Sequence, residues 1–351
     1  MRGQILACVL VAAACAGGRA NNRTDPGPRL VGEESQPAKQ ESSEAATRAY
    51  ARGVALNQKG EYRKAIAEFS EAIRLKPDYD FSYNQRALAW QGLGELDKAI
   101  ADFGSAIQTA TQPIFAFYMN RGNALRSKKQ FDKAYADLDK AVELASKAPA
   151  AIRTEIQARA FEARGLVQFQ KKEYGKALAD LNEALRLNPK LASAYRNRTE
   201  YWLMKNDLDR TIADLTEAIK LEPFASTYSS RATTWLRKKE FPKAISDYAE
   251  AIKRDPKDFE SMGMLARLLA TVPDSKLRDG KRALTLAKTV FELDKDSYES
   301  LELLASAHAE CGDFVEAVRW QKKAVAHPQT NLIQARAHLK LYQEKRPLRI
   351  E

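Results

Sequence analysis

From Ala46 onward, apolar residues recur at three- and four-residue intervals in blocks of about a dozen, each closed by a short polar turn, and this period predicts helix after helix. The blocks come in pairs that repeat at a spacing of about 34 residues. The turns and second helices read GEYRKAIAEFSEAIRLKP from Gly60, GELDKAIADFGSAIQTA from Gly94, KQFDKAYADLDKAVELA from Lys129 and KEYGKALADLNEALRLNP from Lys172. NDLDRTIADLTEAIKLEP from Asn206 and KEFPKAISDYAEAIKRDP from Lys239 continue the series. One repeat is therefore a first helix, a tight turn and a second helix.

Small side chains mark where the two helices meet. Position 8 of the frame is Gly53, Ala87, Gly122, Gly165, Thr199 and Ala232; position 20 is Ala65, Ala99, Ala134, Ala177, Thr211 and Ala244. Position 27 is always Ala, from Ala72 to Ala251. Added methylenes there would overpack the contact at about 1 to 3 kcal/mol. Position 24 fills the space between the helices with Phe69, Phe103, Leu138, Leu181, Leu215 and Tyr248. Pro77, Pro189, Pro223 and Pro256 stop the second helices, since proline cannot continue the hydrogen-bond ladder. Two further repeats are degenerate. One ends its first helix near Pro273, with extra residues before ALTLAKTVFEL from Ala283; the other keeps Ala305, Gly312, Phe314, Ala317 and Ala324 in frame. Asn331 to Lys345 then reads as a capping helix.

These columns closely resemble the tetratricopeptide repeat family. The resemblance implies an all-α, right-handed superhelical solenoid of two-helix repeats with a C-terminal cap. The expected layout is a signal peptide over 1–20, a disordered tether over 21–45, six regular repeats over 46–258, two degenerate ones over 259–329, and a capping helix and tail over 330–351. The block LARLLATVPDSKLRDGKRALTLAK with the ending LYQEKRPLRIE further resembles bacterial, planctomycete-like multi-repeat proteins that are secreted or lipid-anchored. In this family the first helices line a concave groove that binds peptides or partner proteins. Its groove positions carry Asn84, Leu88, Met119, Asn123, Arg196 and Glu200 here, with amides suited to a peptide backbone and Met119 to apolar side chains. The family's clamp for chaperone carboxylates is not carried over, because Tyr50 and Val54 stand where it needs Lys and Asn.

A charged constellation runs through the regular repeats. Position 7 is Arg52, Arg86, Arg121, Arg164, Arg198 and Arg231, and position 23 is Glu68, Asp102, Asp137, Asp180, Asp214 and Asp247. In the degenerate repeats both members turn apolar together, as Leu265 with Leu286 and Leu304 with Trp320. Joint loss predicts a structural ion pair between helices, since a lone buried charge is strongly destabilising.

Before Ala46 the chain reads differently. One charge, Arg2, precedes an apolar run from Ile5 to Ala14, too short to span a bilayer and matching a signal-peptide core. Ala12, Ala13 and Ala14 before Cys15 resemble a bacterial lipobox, which makes Cys15 the expected lipidation site, although Ala12 stands where Leu is usual. Ala14 and Ala16 also form an ordinary cleavage site, so plain secretion is the alternative. Asn21 to Ala45, rich in Pro, Gly, Ser and Glu, reads as the tether.

Composition excludes more than it adds. The net charge of +11 is diluted over the chain, with Lys171-Lys172 and Lys238-Lys239 at corresponding turns; this predicts a solvated basic rim and no nucleic-acid partner. Three Cys and three His leave little for a metal cage, and no HExxH, nucleophile elbow, phosphate loop or dinucleotide fingerprint occurs. His308, His327 and His338 read as packed or exposed helix residues, and Cys311 as a turn residue. No catalytic residue, metal or cofactor is expected. The sequence thus predicts an exported, non-catalytic scaffold for protein or peptide partners, held at the membrane only by lipid on Cys15. The alternative is an accessory or assembly lipoprotein that docks an envelope enzyme complex.

Overall fold

The computed structural model describes residues 36–295, 297–328 and 331–350. Met1 to Ala20, with Cys15, and most of the expected tether lie outside these. The described chain is all helix and turn, and it packs as two compact units that divide between Pro189 and Lys190.

The first unit holds α1 (Gln36–Gln58) with α2 (Tyr62–Leu75), α3 (Asp80–Gly92) with α4 (Leu96–Thr109), α5 (Phe115–Ser127) with α6 (Phe131–Ser146), and α7 (Ala150–Gln170) with α8 (Tyr174–Leu187). The second holds α9 (Ala192–Met204) with α10 (Leu208–Leu221), α11 (Ala225–Arg237) with α12 (Phe241–Arg254), α13 (Phe259–Thr271) with α14 (Gly280–Leu293), and α15 (Tyr298–Glu310) with α16 (Phe314–Ala326). The helix α17 (Leu332–Gln343) closes it. Each pair is one repeat of an all-α repeat solenoid, as the sequence predicts.

The tether expectation needs correction at its end. Residues 36–45 belong to α1, which starts ten residues before Ala46. Ala46 is buried, and Ser42 Oγ donates to Leu75 O at 3.0 Å, so the early turns are tied to the end of α2. A polar composition hid a helix whose contacts lie further along the chain.

Close approach explains the small columns. A Cβ on Gly53 would stand 2.6 Å from the ring of Phe69, and one on Gly122 would stand 2.8 Å from Leu138 Cγ. Ala65, Ala99, Ala134, Ala177 and Ala244 have no exposed surface. The tight turns share one device. After the first helix a residue takes positive φ, at Gly60, Gly94, Lys129, Lys172, Asn206, Lys239 and Gly312, and the next amide reaches back to the helix, as Glu61 N does to Leu56 O. Three of the seven are lysines, which pay a steric penalty that glycine avoids.

The basic turn residues are solvated at Lys172 and Lys239 and ion-paired beside them. Lys172 and Lys239 are these left-handed residues, while Lys171 Nζ lies 2.8 Å from Asp132 and Lys238 pairs with Asp209, each acid belonging to the preceding repeat. Lys128 repeats the pattern with Asp97 at 2.9 Å.

Candidate functional site

The position-7 arginines meet the position-23 acids in all six regular repeats. Arg86 grips Asp102 with Nε and Nη2 at 2.7 and 2.8 Å, and Arg121 grips Asp137 at the same distances. Arg164 with Asp180, Arg198 with Asp214 and Arg231 with Asp247 form the same two-pronged contact. The carboxylates are nearly buried and the guanidinium groups mostly so, as with Asp137 at 8% and Arg121 at 27% exposed. The hydrogen bond to its acid raises the pKa of Arg121, and likewise of Arg164 and Arg231, with burial opposing. In the first repeat Glu68 replaces Asp, a single oxygen takes both contacts from Arg52, and the pair is far more exposed.

Three details of this ladder escaped sequence reading. The remaining guanidinium nitrogen ties some repeats to the one before: Arg86 Nη1 donates to Ser70 Oγ, Arg164 Nη1 to Asp139, and Arg231 Nη1 to Thr216 Oγ1. An aromatic residue three places ahead, Tyr83, Tyr118, Phe161, Tyr195 or Tyr228, lies 5.4 to 6.0 Å from the guanidinium. In the fifth repeat Trp202 Nε1 also donates to Asp214 at 2.9 Å. The aromatic column was in the sequence, but at helical spacing it reads as ordinary core. These arginines are engaged on several sides and are not a free cationic surface.

The groove candidates divide. Asn84 and Met119 are buried, 2% and 7% exposed, so the expectation that they meet a peptide is corrected. Asn120 Nδ2 donates to Asn84 Oδ1 at 3.0 Å, joining the first helices of the second and third repeats, while Met119 packs into the core with Phe115 and Leu138. First helices that approach closely enclose even a polar side chain. Leu88 and Asn123 stay half-buried and Glu200 is exposed. Arg196 reaches Glu222 at 3.0 Å and lies over the ring of Phe224 at 5.1 Å.

Family models for tetratricopeptide repeats match residues 53–94, 158–191 and 115–147. The chain is a tetratricopeptide-repeat protein. No curated protein sequence matches it. Among solved structures it is similar to the C-terminal part of a TPR repeat-containing protein from Cytophaga hutchinsonii, with 17% identity and a TM-score of 0.52 over 73% of this chain and 99% of that one. The anaphase-promoting-complex hetero-tetramer Cut9-Hcn1 is similar at 20% identity and a TM-score of 0.54, covering 67% of this chain and 46% of that one. Both likenesses concern the fold.

Among the described residues no group of His, Cys, Asp and Glu could hold a metal ion. Partial desolvation first, and then the carboxylates of Glu310, Asp313 and Asp279, push the Cys311 thiol up, away from a reactive thiolate. His308 Nδ1 lies 3.3 Å from Asp313, and His338 Nδ1 lies 3.1 Å from Glu302 Oε1. Burial would raise the Glu302 pKa, but hydrogen bonds from His338, Gln321 and Tyr298 together hold it below the usual carboxylate range. That hub fastens α17 to α15. No described helix is long and apolar enough to cross a membrane.

Proposed function

We propose that this tetratricopeptide-repeat protein is a non-catalytic interaction scaffold that receives extended segments of partner proteins against the first helices of its repeats. One observation carries the reading. In the second unit an extended segment, Arg346 to Ile350, already lies across the ends of two such helices, with Ile350 N donating to Thr271 O at 3.0 Å and Arg349 2.7 Å from Glu310. The ends of these two first helices hold a segment of the same chain through main-chain and side-chain contacts together, which supports the reading. The lipobox-like sequence at Cys15 supports a reading in which the chain is exported and anchored by lipid, with the array outside the cytoplasm.

A photo-crosslinking side chain placed at Leu88, Asn123 or Glu200 is the direct test. Adducts with partner proteins should form from these first-helix positions and not from Lys98 or Lys220 on second helices. Equal adduct formation from both sets overturns the reading. For the anchor, Cys15→Ser should abolish fatty-acid labelling and release the protein from membranes; an unlabelled wild type refutes it.

A further inference from the structure

Repeat seven is the exception to the turn rule. Seven first helices end in a positive φ, and α17 does so too at Lys345, where Arg346 N donates to Leu341 O. By contrast, α13 runs out through Val272 and Pro273 into a 3-10 turn at Ser275–Leu277. A helix end without its closing turn leaves carbonyl groups unsatisfied. Here each finds a donor from elsewhere. Asp279 N donates to Leu269 O at 3.0 Å, and Arg278 Nη1 donates to Val272 O and Pro273 O at 3.1 and 2.8 Å. Ala270 O and Thr271 O are taken by the segment after α17, from Arg349 Nη1 at 3.1 Å and Ile350 N at 3.0 Å.

The side chains of that segment alternate. Leu348 packs beside Tyr342 against Ala305 and Ala309, and Ile350 packs on the cluster that holds Leu265 and Leu268. Between them Arg349 Nη2 makes a close ion contact of 2.7 Å with Glu310 Oε2, although its N–H is not aligned as a hydrogen bond. Glu310 is 13% exposed and keeps a second partner, Arg278, whose Nε lies 2.9 Å from Oε1.

Two properties make this occupant replaceable. If Arg349 leaves, Arg278 still compensates the Glu310 charge, so vacating the site does not strand a buried carboxylate. The fit is also incomplete. Ile350 borders two cavities of about 320 Å³, one walled by Leu236, Phe241, Met264 and Leu268, the other by polar groups including Arg267, Glu302 and His338.

We propose that the notch at the ends of α13 and α15 is a recognition site for an extended segment of the pattern aliphatic–Arg–aliphatic. Leu348, Arg349 and Ile350 fill it in cis as a tethered competitor of a partner segment with the same pattern. This rests on the scaffold reading and adds which segment is read and by what: Glu310 reads the arginine, and the helix-end carbonyls read the main chain. The apolar cavity beside Ile350 favours a bulkier side chain at that place.

The test uses the full chain. A labelled peptide of residues 345–351 is titrated into the wild type and into the Arg349→Ala/Ile350→Asp double variant, up to about 1 mM, the effective concentration at which a short tether presents its own occupant. The vacated variant should bind at least about tenfold more tightly than the wild type, a difference of about 1.4 kcal/mol. Adding Glu310→Gln, or replacing the peptide's arginine by alanine, should each cost about tenfold or more; phenylalanine in place of the peptide's isoleucine should bind more tightly. Equal binding to the wild type and the vacated variant, or no binding to the variant, overturns the proposal. If the double variant loses cooperative unfolding by circular dichroism, Ile350→Ala alone carries the comparison. Crosslinking at Leu88 and Asn123 in the first unit is indifferent to this outcome, so the two readings fail separately.

Discussion

Repeats two to six and repeats seven and eight solve one packing problem in opposite ways. In the former an arginine on the first helix grips an aspartate on the second, with an aromatic face three residues ahead of the arginine. In the latter the same places hold Leu265 and Leu304, essentially buried, with Leu286 and Trp320 packed on the cluster they join. The charged joint fixes angle and register through two directed hydrogen bonds. The apolar joint is less directional and merges with its neighbours, so that one cluster runs from Ala232 to Ala307. A joint built from charge needs both partners, and this is why the two positions change character together.

Breaking one partner should have the largest effect. Asp137→Ala leaves Arg121 facing a nearly dry contact and should destabilise the array by about 4 kcal/mol in chemical denaturation. Leu265→Ala opens a cavity in the merged core and should cost about 3 kcal/mol. Converting Arg121 and Asp137 together to leucine imitates repeats seven and eight and should recover most of the loss. The double-mutant cycle should give a coupling energy of at least about 1.5 kcal/mol, and a value near zero would erase the distinction between the two kinds of joint. Lys172→Gly relieves a left-handed lysine and should add about 1 kcal/mol of stability, whereas Gly60→Ala at the corresponding turn should remove a similar amount. The smallest change belongs to the first repeat: Glu68→Ala should leave the melting temperature almost unmoved, because its pair with Arg52 stands in water.

What the sequence made legible was whatever recurs. Arginine and aspartate at fixed places, paired in their loss as in their presence, point to a contact without any coordinates, and alanine at position 27 does the same for helix packing. What stayed hidden occurs once. Asn84 and Asn120 look like solvated polar residues until the first helices bring them within 3.0 Å. The contact of Arg349 with Ala270 spans 79 residues and has no counterpart among the described residues of the other repeats, so no periodicity announces it. The opening turns of α1 were masked by composition, since Gln, Glu and Ser at a chain's start resemble a linker as much as a helix.

The placement of the indoles has an optical consequence. Trp202 donates its ring N–H to the aspartate of a charged joint, and Trp320 stands in an apolar one, 5.1 Å from the ring of Phe291. Each architecture therefore carries its own intrinsic fluorophore, and the wavelength of indole emission follows the polarity around the ring. Replacing Trp90 and Trp235 by phenylalanine leaves, of the four tryptophans, only these two. Removing one or the other then yields a protein whose emission spectrum reports, during unfolding, which class of joint opens first.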